Sequence, residues 1–203
     1  MTPISQTLTA LIEPARLRRR DDISRLPEPR SALMLGAVVL TALIAATLAP
    51  TELALTCAAA ALFLPALTWI DLDAHRLPDA LTRPALIATG VASIITALIT
   101  EAYPSLIRAT LGAALVALLM LSLGLAIPGG PGLGDVKTAP ILGLPLAWHS
   151  WTMLLTWIAI AFLVNAATAL GLQAATRTRG STHLPFGPAM TFAWFTTLAL
   201  MKS

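Results

Sequence analysis

Charge is what this sequence has least of. Charged side chains make up 11% of its 203 residues, against about 25% in a soluble domain, which excludes an ordinary water-soluble fold. There is one cysteine, Cys57, so neither an internal disulfide framework nor a cysteine-held metal site can form within one chain. Residues 1–15 lack the charged start and long apolar core of a cleavable signal peptide. The net charge of +3 does not imply nucleic acid as a partner. Its arginines flank apolar segments, a pattern that lipid topology explains better.

What the chain has instead is apolar length. Hydrophobic residues are 57% of it, in several runs of roughly 18 or more residues, each enough to cross a bilayer. Seven segments are predicted: about Ser31–Leu48, Glu52–Ile70, Ala80–Ile99, Ser105–Ile127, Val136–Trp148, Trp151–Leu172 and Pro185–Met201. Pro65 is expected to kink the second. The fifth is short, and Pro140 and Pro145 are expected to break it. The expected fold is therefore all-α, a polytopic membrane bundle over residues 31–203, preceded by a basic segment over residues 1–30. In that segment Ile4, Leu8, Leu11 and Ile12 fall at helical spacing ahead of Arg16–Arg20. An interfacial helix on anionic lipid and an unstructured tail are both open readings.

Lys and Arg set the expected topology. Six arginines precede the first segment, which puts the N-terminus in the cytoplasm. Alternating from there, Arg76, Arg83, Lys137, Arg177 and Arg179 also fall on cytoplasmic connections, whereas Arg108 and Lys202 fall outside. Seven spans and a cytoplasmic N-terminus support each other.

Two connections then meet on the cytoplasmic side, Asp71–Asp79 and Gly129–Lys137. The chain has ten acidic residues, and Asp71, Asp73, Asp79 and Asp135 all lie in these two loops. Ionisable groups near membrane depth are costly and mark functional candidates. The second loop reads Gly129-Gly130-Pro131-Gly132-Leu133-Gly134-Asp135-Val136-Lys137. A turn needs one or two glycines. Four let backbone approach backbone, or a substrate backbone, closely. The plainer alternative is a Gly/Pro turn with Asp135 capping the next helix.

Two aspartates from separate segments suit general acid/base work. Like charges a few ångströms apart cannot both ionise cheaply, so one carboxyl keeps a proton while the other activates water. Such chemistry needs no metal and no nucleophilic side chain. Asp79 precedes an apolar run and reads as the N-cap of the third segment. His75 and Arg76 read as interfacial polar residues.

These loops resemble the active-site motifs of type IV prepilin peptidases, the bacterial branch of the GxGD intramembrane aspartyl proteases. Asp71 closing a segment, with Leu77-Pro78-Asp79-Ala80-Leu81-Thr82 after it, matches the family's first motif. Gly130-Pro131-Gly132-Leu133-Gly134-Asp135-Val136-Lys137 matches its glycine motif, and Pro185-Phe186-Gly187-Pro188 its C-terminal one. The resemblance runs from about Trp69 to the last segment. It implies Asp71 and Asp135 as the catalytic pair, with Gly130, Gly132, Gly134, Lys137 and Asp79 near the substrate.

The function so implied is a membrane endopeptidase in the bacterial inner membrane. It would cleave the basic leader from type IV pilin-like or pseudopilin precursors at the cytoplasmic face. Full-length family members add an N-terminal span and a four-cysteine zinc domain, commonly linked to N-methylation. With a single cysteine here, no metal and no methyl-donor cofactor are expected. The expected partners are pilin-like precursors and the lipid bilayer, not nucleic acid. Two rival classes use the same carboxylates differently: a proton-coupled transporter, and a non-catalytic partner in pilus or secretion assembly. No internal repeat or paired broken helices favour the transporter.

Overall fold

The computed structural model describes residues 31–74, 79–127, 130–176 and 186–202. The expectations for Met1–Arg30, for His75 and Arg76 and for the Asp73 side chain lie outside the described residues. Two compact units divide the chain, Met1–Met34 and Leu35–Ser203. The architecture below is that of the second.

All regular structure among the described residues is helical, and the fold is a polytopic membrane bundle. In order it comprises α1 (Ser31–Leu48), α2 (Ala54–Ala61), α3 (Leu64–Ala74), α4 (Asp79–Thr100), α5 (Tyr103–Ala126), α6 (Leu133–His149), α7 (Trp151–Thr176) and α8 (Gly187–Lys202). A 3-10 turn at Thr51–Leu53 leads into α2. Four helical stretches are long and apolar enough to cross a membrane: Thr51–Asp71, which joins α2 and α3, together with α4, α5 and Trp151–Ala174 of α7.

The expected second segment is two helices. It breaks at Leu62 and Phe63 and restarts at Leu64, with Pro65 in the new first turn. Proline is tolerated there because the N–H it lacks has no partner within the helix anyway. The fifth segment behaves in the opposite way. Pro140 and Pro145 were expected to break it, yet α6 runs unbroken through both. Packing explains the difference. Thr138, Ala139 and every residue from Ile141 to Trp148 are buried, so α6 is held on all sides and local preference is overruled. Within membranes, neighbouring helices make such prolines tolerable.

α6 is the centre around which the others are laid. A helix apolar all round belongs in a core, and this one needs no lipid-facing stripe. α5 packs antiparallel to it at close range. A Cβ on Gly143 would lie 2.9 Å from Val116, and one on Gly112 would collide with Ala147. Small residues at helix crossings allow this approach where lipid tails compete with apolar side chains. Buried indoles tie the remaining helices in. Trp157 Nε1 on α7 donates to the Met190 carbonyl on α8, and Trp194 Nε1 on α8 donates to the Leu142 carbonyl on α6, both at 3.0 Å.

Candidate active site

Both aspartates singled out by their position are buried, Asp71 at 7% exposure and Asp135 at 6%. Carboxylates are rarely this buried unless partnered, so their surroundings decide their role. Each carboxyl is held by a glycine at the start of a helix. Gly132 N–H donates to Oδ2 of Asp135 at 2.9 Å. Gly187 N–H donates to Oδ2 of Asp71 at 3.1 Å.

The local sequence dictates the first arrangement. Gly132 is the N-cap of α6 with φ −74° and ψ 165°, and Asp135 is the third residue of the helix. From that position a carboxyl reaches back to the N-cap amide, one half of a capping box. Gly132 has no side chain, so the reciprocal half cannot form. The sequence reading placed Asp135 and Lys137 in a loop. They stand in the first turns of α6 instead, because the helix starts at Leu133.

Only one oxygen of Asp135 is used in this way. Oδ1 is buried and has no hydrogen-bond partner among the described residues. Leaving a buried polar atom unsatisfied costs on the order of 1–3 kcal/mol, and such an atom in a native fold calls for an explanation. Asp135 lies outside the four long apolar stretches and ahead of the apolar run of α6. Burial raises its carboxyl pKa to about 7, the Gly132 N–H opposes that rise, and the charge of Asp71 adds to it. The two carboxyls therefore sense each other across the space between α3 and α6. Like charges in such a setting raise the cost of ionising both.

The other predicted residues sort into four groups. Lys137 Nζ on α6 donates to Oδ1 of Asp79 on α4, and Arg83 Nη2 lies 3.1 Å from Oδ2 of the same carboxylate. That ion pair bridges the two motif regions at the surface. Gly130 is held by its own chain: its N–H donates to the Ile127 carbonyl at 2.9 Å, and a Cβ there would lie 2.7 Å from the Leu123 carbonyl oxygen. Gly132 differs, since the nearest atom to a Cβ there is Asp135 Oδ2 at 3.7 Å. Gly134 supplies the carbonyl that accepts from Thr138 Oγ1 at 3.1 Å.

Gly187 falls within the C-terminal motif, and the sequence alone assigns it no chemistry. The available signal was a Gly-Pro pair opening a helix, which leaves the Gly N–H free for an outside acceptor.

The fold and the site together define a helical membrane protein with two buried carboxyls near the ends of separate helices. The chain belongs to the type IV leader peptidase family, whose model matches residues 58–170. That stretch contains Asp71, Asp79 and the whole glycine loop, and it ends before Gly187. The prepilin leader peptidase/N-methyltransferase of Aeromonas hydrophila is 33% identical over 155 residues, 76% of this chain and 52% of that protein. The chain thus spans about half the length of this curated relative. No solved structure matches it.

Proposed function

We propose that the protein is an aspartic endopeptidase that removes the basic leader from type IV pilin-like or pseudopilin precursors, with Asp71 and Asp135 as its dyad. The observation that carries this reading is the pairing itself: two buried carboxyls, electrostatically coupled, one with an oxygen left unbonded. Membership of the type IV leader peptidase family supplies the reaction class.

The chemistry follows from the inequality between the two groups. Asp135, raised toward neutrality, keeps the shared proton and donates it toward the scissile carbonyl oxygen. Asp71 takes a proton from water as the water oxygen attacks the carbonyl carbon. As the resulting diol collapses, one hydroxyl proton returns to Asp135, the C–N bond breaks, and the proton held by Asp71 goes to the departing amine. Gly132 and Gly134 bring the substrate backbone close to Asp135, while Gly130 seats the loop on α5. Lys137 and Asp79 border the approach. In this reading the N-terminus and the site face the cytoplasm of a bacterial inner membrane. A basic leader would stay near the anionic leaflet there.

The test is cleavage of a purified pilin-like precursor, with precursor and product separated on a gel. Asp71→Asn and Asp135→Asn should each insert normally and lose about 10²–10⁴-fold in rate. Continued maturation by either variant would remove that aspartate from the mechanism.

A further inference from the structure

We propose that Gly187 is the positioning residue for Asp71, and that its missing side chain, rather than any turn, is why glycine stands there. This rests on the dyad reading above. A Cβ on Gly187 would collide with Oδ2 of Asp71 and lie 3.2 Å from its Cγ and 3.5 Å from its Cβ. All three of these nearest atoms belong to one side chain. The φ of Gly187 is not in the left-handed region that favours glycine. Conformation therefore does not demand glycine, and space does. The same bare backbone carries the N–H that donates to Oδ2, and the start of a helix favours a negative group.

α8 is built to hold that amide still. One turn deeper, Thr68 Oγ1 on α3 lies 3.3 Å from Thr191 Oγ1 on α8. Thr68 and Asp71 are three apart and Gly187 and Thr191 are four apart, so each pair shares one helix face. The two contacts fix α3 antiparallel to α8 in one register. The start of α8 is itself pinned to α7, through the Phe162 and Phe186 rings at 5.0 Å and the Trp157–Met190 bond. Trp194 then bonds α8 to α6, the helix that carries Asp135. α8 is thus a strut that sets one carboxyl against the other, although it lies outside the stretch matched by the family model.

The experiment compares Gly187→Ala, Thr191→Val and Gly171→Ala in the full chain, with kcat and KM measured per folded molecule on a pilin-like precursor. Gly171 has nothing within 4 Å of a Cβ and serves as the neutral control. Gly187→Ala should lower kcat about a hundredfold, the scale of a misplacement of about 1 Å, with KM within about threefold. Thr191→Val should lower thermal stability while keeping kcat within about threefold of wild type. A kcat for Gly187→Ala within that same range overturns the proposal. So does a loss in Thr191→Val equal to that in Gly187→Ala, which would assign the effect to helix register alone.

A second arm needs neither activity nor a stable Gly187 variant. The backbone amide resonance of Gly187, selectively labelled in otherwise wild-type protein, should move when Asp71→Asn is introduced. An unmoved resonance overturns the proposal even if cleavage is observed. If the wild-type protein fails to cleave any precursor, the functional reading falls, yet the amide shift still decides whether Gly187 holds Asp71.

Discussion

The two ends of α6 solve the same problem in different ways. At its C-terminus the orphan carbonyls meet Arg108 from α5, whose Nε donates to Ala147 at 2.9 Å and whose Nη2 donates to Trp148 and His149. Opposite charge at a helix C-terminus is favourable, and the guanidinium spreads its donors over three of these carbonyls. At the N-terminus Asp135 also has the favourable sign, but one oxygen takes the Gly132 amide and the other takes nothing. Another carboxylate stands nearby to repel it. One ionisable group is surrounded by its partners, while the other is held in place and left incomplete. The difference separates a charge whose partners are complete from one left incomplete, although both are scarce residues at the edge of an apolar helix.

Substitutions at the N-terminal end should therefore be read in rate. Among the glycines at this end, Gly130→Ala carries the largest expected effect. Its methyl group would press on the carbonyl oxygens of Leu123 and Ile127, at 2.7 and 3.0 Å. The loop would have to lift from α5, carrying the start of α6 with it. A displacement of about 1 Å at Asp135 lowers cleavage roughly a hundredfold. Gly132→Ala separates the alternatives, because 3.7 Å of clearance and a negative φ let the free protein accept alanine. Slow cleavage by a well-folded Gly132→Ala places substrate against that position. Normal cleavage by it leaves the loop a turn that only Gly130 constrains.

At the C-terminal end the readout should be stability. Arg108→Ala strips three carbonyls of a charged donor. Buried groups deprived of a partner cost about 1–3 kcal/mol each, and Arg108 is only partly buried, so a total near the lower figure is expected. Thermal unfolding in detergent should fall while kcat per folded molecule stays unchanged. A loss of kcat at unaltered stability would erase the contrast between the two ends.

How much of this was legible in the sequence depends on whether the cause is local. The first segment, expected over about Ser31–Leu48, is met by a helix there because apolar length alone defines it. Asp71 and Asp135 stood out because charge is so rare around them. The unbroken α6 did not, since proline rules are local and the packing that overrules them at Pro140 and Pro145 comes from α5, α7 and α8. Arg108 counted only as an outward-facing charge. Its place as a lone cation early in an apolar run was the available sign that it had acceptors to meet. The bond between Gly187 and Asp71 joins residues 116 apart, and no spacing rule reaches that far.

The smallest effect is expected at Lys137 and Asp79, which share the site's end of α6 but not its burial. Lys137 is 43% exposed at its side chain and Asp79 34%, and Arg83 competes for the same carboxylate. Exposed pairs of this kind contribute about 0–1 kcal/mol, so Lys137→Met should barely change unfolding. Its use is to ask what the pair does besides joining α4 to α6. If Lys137 and Asp79 border the path of a charged leader, removing one charge shifts KM severalfold in a salt-dependent way and leaves kcat alone. Reversing the leader's charge in the precursor should then change the sign of that shift. A KM that ignores both changes would make the pair a surface clasp and confine substrate contact to the glycine loop and the dyad.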